Sequence, residues 1–147
     1  MLAVAQPTVE ILMQGNADGS KVWFDPVGVL IEPGQVVRWV NTDRGNSHTS
    51  TAYHPTNTGH PRRIPEKAEP WNSDYLLPDE TFELRFTVTG VYDYFCIPHE
   101  EAGMVGRIVV GSPMSTVPPL DNLPEAARQV LPKIAEIVRH RVVRIAP

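Results

Sequence analysis

Fifteen prolines and ten glycines are spread through the 147 residues of this chain, and their distribution is the feature that most constrains its fold. Proline removes a backbone N–H and is excluded from helix interiors, so long helices are ruled out over most of the sequence. The short apolar runs between these breaks are typical of an all-β sandwich or barrel. We therefore expect one all-β domain, which a chain of 147 residues can stabilise without disulfides.

Alternating apolar and polar residues locate the strands of this domain. The clearest run is residues 81–88, in which every second residue from Phe82 to Val88 is apolar. Further strands are predicted at residues 8–14, 22–24, 27–31, 36–40, 91–96 and 107–110. Short strands separated by turn-forming residues favour a β-sandwich.

Two stretches depart from this strand pattern. Residues 41–80 contain five prolines and no regular period, so we predict a long loop that wraps the sandwich and assign no strand to it. After a linker at residues 112–115, residues 122–129 and 132–144 have the spacing of two helices, the second with one apolar stripe.

The charge balance excludes some classes of partner. Thirteen Lys and Arg against seventeen Asp and Glu give a formal net charge of -4 and a pI near 5.7, which argues against nucleic acid as the partner. No stretch approaches the roughly 20 apolar residues of a membrane helix, so we expect no membrane span in this chain. No signal peptide is visible, but residues 1–5 end in small residues like the remnant of a cleavage site.

The residues with the most distinctive chemistry lie between the last two predicted strands of the sandwich. Cys96, His99 and Met104 supply a thiolate, an imidazole and a thioether that can reach one point, and this donor set suits copper rather than magnesium or calcium. His48, just beyond the predicted strand 36–40, can supply a second ring nitrogen. Together they make a trigonal set of two His and one Cys with a weak axial thioether.

These residues also have ordinary structural interpretations. A lone cysteine in a strand is usually a small buried hydrophobe, and methionine packs well in any core, so Cys96 and Met104 can both be core residues. A Cys–His pair can also form an activated nucleophile. The spacing of Cys96, His99 and Met104, with Pro98 before the histidine and His48 upstream, favours copper over these alternatives.

With this order of residues the sequence resembles the cupredoxins, the small type 1 blue copper proteins, and most closely their plastocyanin and pseudoazurin branch. The shared pattern is an upstream His, then Cys, two residues, His, four residues and Met. The resemblance implies a Greek-key cupredoxin β-sandwich of about seven to eight strands in a copper-binding domain of residues 6–112. Residues 113–147 would form a C-terminal two-helix extension of the kind that pseudoazurins carry.

The resemblance also implies one type 1 copper per chain, with the ligands His48, Cys96, His99 and Met104. In this family His48 corresponds to the buried ligand and His99 to the ligand with an exposed ring edge. Thr49 departs from the pattern, because the family has an Asn there whose backbone N–H bonds the Cys sulfur and whose side chain ties the two ligand loops. We expect the backbone bond to survive and the side-chain tie to be altered.

The implied function is that of an electron carrier and not an enzyme. The expected partner is a redox protein such as a c-type cytochrome or a copper oxidoreductase, and the carrier is expected to be a monomer. The alternative is a copper chaperone, store or sensor on the same scaffold. A nitrite reductase or oxidase would need a second copper site and a further domain, for which 147 residues are too few. The family implies a periplasmic or otherwise extracytoplasmic location, with the signal peptide removed.

Four further residues are candidates for function near the site. His54 and His60 in the long loop can bind a second metal, but loop histidines are more often solvated, and we expect that here. Glu100 and Glu101 are expected to be solvated charges near a docking face, where they would steer a basic partner.

Overall fold

The computed structural model describes residues 6–113 and 118–145, in which two β-sheets share one apolar core. This architecture confirms the predicted β-sandwich. The strands of the described residues are β1 (Val9–Gly15), β2 (Val22–Asp25), β3 (Gly28–Ile31), β4 (Gln35–Asn41), β5 (Thr51–Ala52), β6 (Thr81–Phe86), β7 (Gly90–Phe95), β8 (Val105–Val110) and β9 (Val142–Val143). The helices are two short 3-10 helices, Ile97–Ala102 and Leu120–Asn122, and two α-helices, α1 (Glu125–Val130) and α2 (Ile134–His140). None of these helices has the length and apolar character of a membrane span.

Both sheets are mixed. The first has the strand order β2-β1-β4-β6, and the second has the order β5-β7-β8-β3-β9. β1 runs parallel to β4 and β3 runs parallel to β8, while the other paired strands are antiparallel. This topology brings the segments that follow β4 and β7 to the same end of the sandwich.

Strand β4 shows how alternation along a strand builds the core. Its residues alternate between buried and half-buried, and Val37 and Trp39 are completely buried. The Trp39 ring lies 6.0 Å from Phe82, 6.3 Å from Phe86 and 5.4 Å from Tyr94, measured between ring centroids. Trp39 therefore joins its own sheet to the facing sheet through aromatic contacts, which contribute more than their buried area alone.

Strands β7 and β8 are buried along their whole length. One face of each strand belongs to the sandwich core, and the C-terminal extension covers the other face. Ala127 of α1 packs with Phe95 and Val105, and Ile137 of α2 packs with Val109. Because both faces are covered, these strands are buried along their whole length instead of alternating, and even their charged residues Asp93 and Arg107 are buried.

The C-terminal helices are shorter than the sequence predicts. Helix α2 ends at His140 instead of continuing to residue 144, because Arg141 has a positive φ of 66°. The chain then returns as β9, in which Val142 and Val143 pair antiparallel with β3. The helix prediction for residues 132–144 is therefore wrong at its C-terminal end.

The long loop is attached to the sandwich by strand pairing that the sequence did not reveal. The short strand β5 pairs with β7, although we predicted no strand in residues 41–80. Isolated bridges also join His48 to Leu76 and Thr51 to Asn72. The loop is thus held on both sides of its histidine-bearing segment.

A buried ion cluster fastens the long loop and the extension to the second sheet. Asp93 of β7 accepts hydrogen bonds from Nε of Arg63 at 2.9 Å and from Nε of Arg107 at 2.7 Å, and all three residues are buried. The same guanidinium groups donate to carbonyl groups of the extension. Arg63 bonds the carbonyl of Pro119, and Arg107 bonds the carbonyl of Pro132.

Candidate metal centre

Three ligand-forming side chains meet at one end of the sandwich. Nδ1 of His48 lies 3.2 Å from Nδ1 of His99, and Sγ of Cys96 lies 3.6 Å from the first nitrogen and 3.4 Å from the second. Within the part of the chain that the structure describes, no other three His, Cys, Asp or Glu side chains bring their ligand atoms within 4.8 Å of one another. Three of the four predicted ligand residues are therefore together in space.

Each of these residues is placed by a regular element. His48 lies beyond β4 and is held by its bridge to Leu76. Cys96 directly follows β7, and His99 lies in the 3-10 helix Ile97–Ala102. Gly103 then takes a φ of 87°, which favours glycine, and turns the chain back toward β8.

Met104, the fourth predicted ligand, lies at the end of this turn. It is fully buried, and its backbone is hydrogen-bonded to the predicted ligands Cys96 and His99. The N–H of Cys96 donates to the Met104 carbonyl at 3.0 Å, and the N–H of Met104 donates to the His99 carbonyl at 3.1 Å. The ligand loop, residues 96–104, is thus closed on itself by backbone hydrogen bonds.

The protonation states of these groups suit a metal site. Burial lowers the pKa of His48, although the carboxylate of Asp43 opposes this effect. Burial, together with the nearby His48, also lowers the pKa of His99. Burial raises the pKa of the Cys96 thiol to about 11. At neutral pH both rings are neutral and offer a nitrogen lone pair, whereas the thiol loses its proton when a metal binds.

Thr49 retains both functions that the family assigns to Asn at this position. Its backbone N–H donates to Sγ of Cys96 at 3.3 Å, as expected. Its hydroxyl oxygen accepts the N–H of Ile97 at 2.9 Å and lies 2.9 Å from the hydroxyl of Thr51. The side-chain tie between the two ligand segments therefore persists, with a hydroxyl in place of an amide.

Replacing Thr49 with valine should separate these two functions. Valine keeps the backbone N–H that bonds the sulfur but removes the acceptor for Ile97, and an unpaired N–H of this kind costs about 1–3 kcal/mol. We expect the free energy of unfolding of the apoprotein, measured in urea, to fall by that amount while copper still binds. Thr49→Ser, which keeps the hydroxyl, is the matched control. An unchanged free energy of unfolding in Thr49→Val would contradict this role of the hydroxyl.

Asp43 is a functional candidate that the sequence analysis missed. Its Oδ2 lies 2.8 Å from Nε2 of His48, on the side of the ring opposite Cys96 and His99. Burial opposes ionisation of this carboxyl, but hydrogen bonds from Gly45, His48 and Asn46 together hold its pKa below the usual value. The only sequence signal was an acidic residue five positions before a predicted ligand, which many surface loops share.

Glu100 does not occupy the solvated position that the sequence predicts. Its Oε2 accepts a hydrogen bond from the Tyr53 hydroxyl at 2.6 Å, and its Oε1 lies 3.0 Å from Nε2 of His60. The Glu100 side chain is 13% exposed, whereas Glu101 is exposed as expected. Glu100 therefore connects the ligand loop to Tyr53 and His60 and is not available as a docking charge.

The two loop histidines are likewise less exposed than the sequence predicts. The ring of His60 stacks on Phe95 with a centroid distance of 4.2 Å, and the residue is half-buried. His54 is buried, and its Nδ1 accepts the N–H of Thr56 at 3.1 Å. The expectation of solvent exposure is wrong for His54, and His60 is only partly exposed, because the long loop folds back onto the sheet.

The donor set fits a single copper ion. Separations of 3.2–3.6 Å between the three donor atoms leave room for one ion at the roughly 2.0–2.3 Å typical of metal–nitrogen and metal–sulfur bonds. A thiolate with two imidazole nitrogens is the donor combination of blue-copper sites. Water is excluded from Cys96 and His48, which are both fully buried.

Known proteins are similar to this chain in sequence and in fold. Residues 11–111 match the model of the copper binding proteins of the plastocyanin/azurin family. A chloroplastic plastocyanin from Tetradesmus obliquus is 34% identical over 106 residues, which span 65% of this chain and 63% of that protein. A pseudoazurin from Paracoccus pantotrophus is 32% identical over 139 residues, which span 92% of this chain and 83% of that protein. A solved pseudoazurin structure from Sinorhizobium matches with a TM-score of 0.59 and 27% identity, covering 84% of this chain and 92% of that one.

The matched range contains the whole candidate site. His48, Cys96, His99 and Met104 all lie between residues 11 and 111. The convergence of the first three donor atoms and the family match point to the same cofactor. The chain therefore belongs to the plastocyanin/azurin family of copper-binding proteins, and its cofactor is copper.

Proposed function

We propose that this protein is an electron carrier that holds one type 1 copper through His48, Cys96, His99 and Met104. The observation that carries the proposal is the convergence of a buried thiol and two ring nitrogens within 4.8 Å. Bound copper supplies a one-electron couple between Cu(II) and Cu(I).

Rigidity of the ligand residues supports electron transfer. Electron transfer is fast when little has to move as the charge changes, so a carrier needs donors fixed by the fold. Backbone bonds from Cys96 to Met104 and from Met104 to His99 close the ligand loop. The hydroxyl of Thr49, next to His48, accepts the N–H of Ile97 and so connects that loop to the segment bearing His48.

The pattern of exposure favours a carrier over an enzyme. A catalytic metal needs an open position that a substrate can reach. His48, Cys96 and Met104 are each 0% exposed, so three of the four proposed ligands are closed to solvent. His99 is half-buried and lies two positions before the exposed residue Glu101. We assign the ring edge of His99 as the point at which an electron enters and leaves.

The charge of the chain supports a basic redox partner. A formal net charge of -4 favours encounter with a positively charged protein, such as a c-type cytochrome or a copper oxidoreductase. The family relationship supports an extracytoplasmic site of action. We further propose that the carrier works as a monomer.

Electron transfer to a basic c-type cytochrome should slow as ionic strength rises, because salt screens steering between exposed charges. Stopped-flow measurement from low to physiological salt would test this. Glu101→Gln removes a charge close to the ring edge of His99 and should weaken the salt dependence of the rate. Glu10→Gln is the matched control, because it removes the same charge from an exposed residue far from the site. Glu10 lies five residues, or about 16 Å along β1, from the end of that strand nearest the site. A rate that does not change with salt would rule out electrostatic docking.

The function itself is tested by adding one equivalent of Cu(II) to the apoprotein, followed by ascorbate. An electron carrier gives an intense visible band that bleaches with ascorbate and returns on reoxidation without loss of metal. Electron paramagnetic resonance should show one copper species. Ready transfer of Cu(I) to a chelator, with no reversible couple, would instead support a chaperone, store or sensor.

A further inference from the structure

A carboxylate lies directly behind the buried ligand histidine. Asp43 is 5% exposed, and its Oδ2 is 2.8 Å from Nε2 of His48, which is the ring nitrogen facing away from Cys96. His48 itself is fully buried. The pair is therefore shielded from the solvent that would weaken its interaction.

The surrounding residues form a fitted pocket for this carboxylate. The N–H of Gly45 donates to Oδ1 at 2.9 Å, and the side-chain amide of Asn46 donates to Oδ2 at 3.3 Å. The N–H of Asp43 itself donates to Oδ1 of Asn41 at 2.9 Å. A methyl group at Gly15 would overlap the Asp43 carboxylate, so any larger residue at this strand end would force the carboxylate to shift.

This arrangement fixes the tautomer of the ligand ring. An ionised carboxylate only accepts hydrogen bonds, so Nε2 of His48 must carry the ring proton. The lone pair of Nδ1 is then directed at the point shared with His99 and Cys96. Such outer partners of a ligand histidine orient it and increase its basicity.

The charge of the carboxylate also distinguishes the two oxidation states. Cu(II) carries one more positive charge than Cu(I), so a fixed anion on the far side of the ligand ring stabilises the oxidised form more. We propose that Asp43 is a positioning residue that lowers the reduction potential of the copper centre through its hydrogen bond to His48. This inference rests on the proposed function as an electron carrier.

Asp43→Asn is the test, because asparagine keeps an oxygen acceptor for His48 and removes the charge. The variant and the wild type are each loaded with one equivalent of Cu(II) and equilibrated with the ferricyanide/ferrocyanide couple. One electron passes from ferrocyanide to each Cu(II), and the visible band reports the oxidised fraction. We expect the equilibrium constant for reduction to rise at least tenfold, which is about 59 mV for a one-electron couple.

Asp18→Asn is the matched control. It removes the same charge from an exposed residue in the neighbouring turn after β1, and we expect less than a twofold change. If Asp43→Asn also changes the constant by less than twofold, or lowers it, the inference is wrong. If wild-type protein shows no thiolate band at all, the proposed function fails instead, and the two failures are thereby distinguishable.

A second measurement does not depend on redox chemistry, and its deciding outcome comes from wild-type protein. In zinc-loaded wild-type protein, nitrogen-detected NMR should show His48 protonated at Nε2, with slow exchange of that proton. The variant Gly15→Ala keeps the charge but forces the carboxylate to move, and it should broaden or lose this signal. A wild-type ring protonated at Nδ1, or rapid exchange of the Nε2 proton, would overturn the inference.

Discussion

Replacing Cys96 with serine is expected to abolish the intense visible band and to weaken Cu(II) binding by more than about 100-fold. Even the loss of an outer partner of a metal ligand costs 10–100-fold in affinity, so the loss of the thiolate should cost more. The band arises from charge transfer between sulfur and copper, and a hydroxyl cannot replace it. Absorption spectra and competition with a chelator of known affinity provide the two readouts.

Met104→Gln is the matched control for this prediction. Glutamine keeps the size and the axial position of the proposed fourth ligand, so the band should persist while the reduction potential falls. Circular dichroism of each apoprotein checks that the fold is intact, since Cys96 is fully buried. A Cys96→Ser protein that retains a strong visible band would remove this thiolate from the site.

Replacing Asp93 with asparagine is expected to lower the free energy of unfolding by about 3–5 kcal/mol. The reason is that Arg63 and Arg107 are both buried and would lose the only carboxylate that they are seen to contact in the described residues. Removing one partner of a buried ion pair leaves an uncompensated charge, and this accounts for the size of the effect. Urea unfolding of the apoprotein measures it directly.

The exposed pair of Arg44 and Asp79 offers the comparison. These side chains are 73% and 67% exposed and are joined by two hydrogen bonds. Asp79→Asn should change stability by less than about 1 kcal/mol, because solvent screens such pairs. Similar losses in Asp79→Asn and Asp93→Asn would show that burial does not set the energy of the Asp93 cluster.

Part of the fold follows from local sequence patterns. The seven predicted strands are all present, because alternation or a continuous apolar run is a property of neighbouring residues. Strands β5 and β9 are two residues long and carry no period. They exist because distant segments, β7 and β3, offer hydrogen bonds to them.

The candidate site also has a part that local sequence predicts and a part that depends on distant contacts. Cys96, His99 and Met104 are close in sequence, so their spacing alone predicts a shared point. The pairing of Asp43 with His48 depends on the exact path of a loop, and the burial of Glu100 depends on Tyr53, which lies 47 residues away. No local pattern encodes those contacts, so they emerge only with the three-dimensional structure.

The two-residue strand β9 has a consequence for the protein before it acquires metal. Without it, β3 would be the edge of the second sheet and would present unpaired N–H and C=O groups to other chains. Such an edge is a template for intermolecular pairing, and natural proteins commonly cover it or keep it very short. β9 covers the edge of β3 and is itself very short. Backbone hydrogen bonds from Val27 to the Val143 carbonyl and from Leu30 to the Arg141 carbonyl hold it in place. The C-terminal end of the chain thus protects the protein against edge-to-edge aggregation.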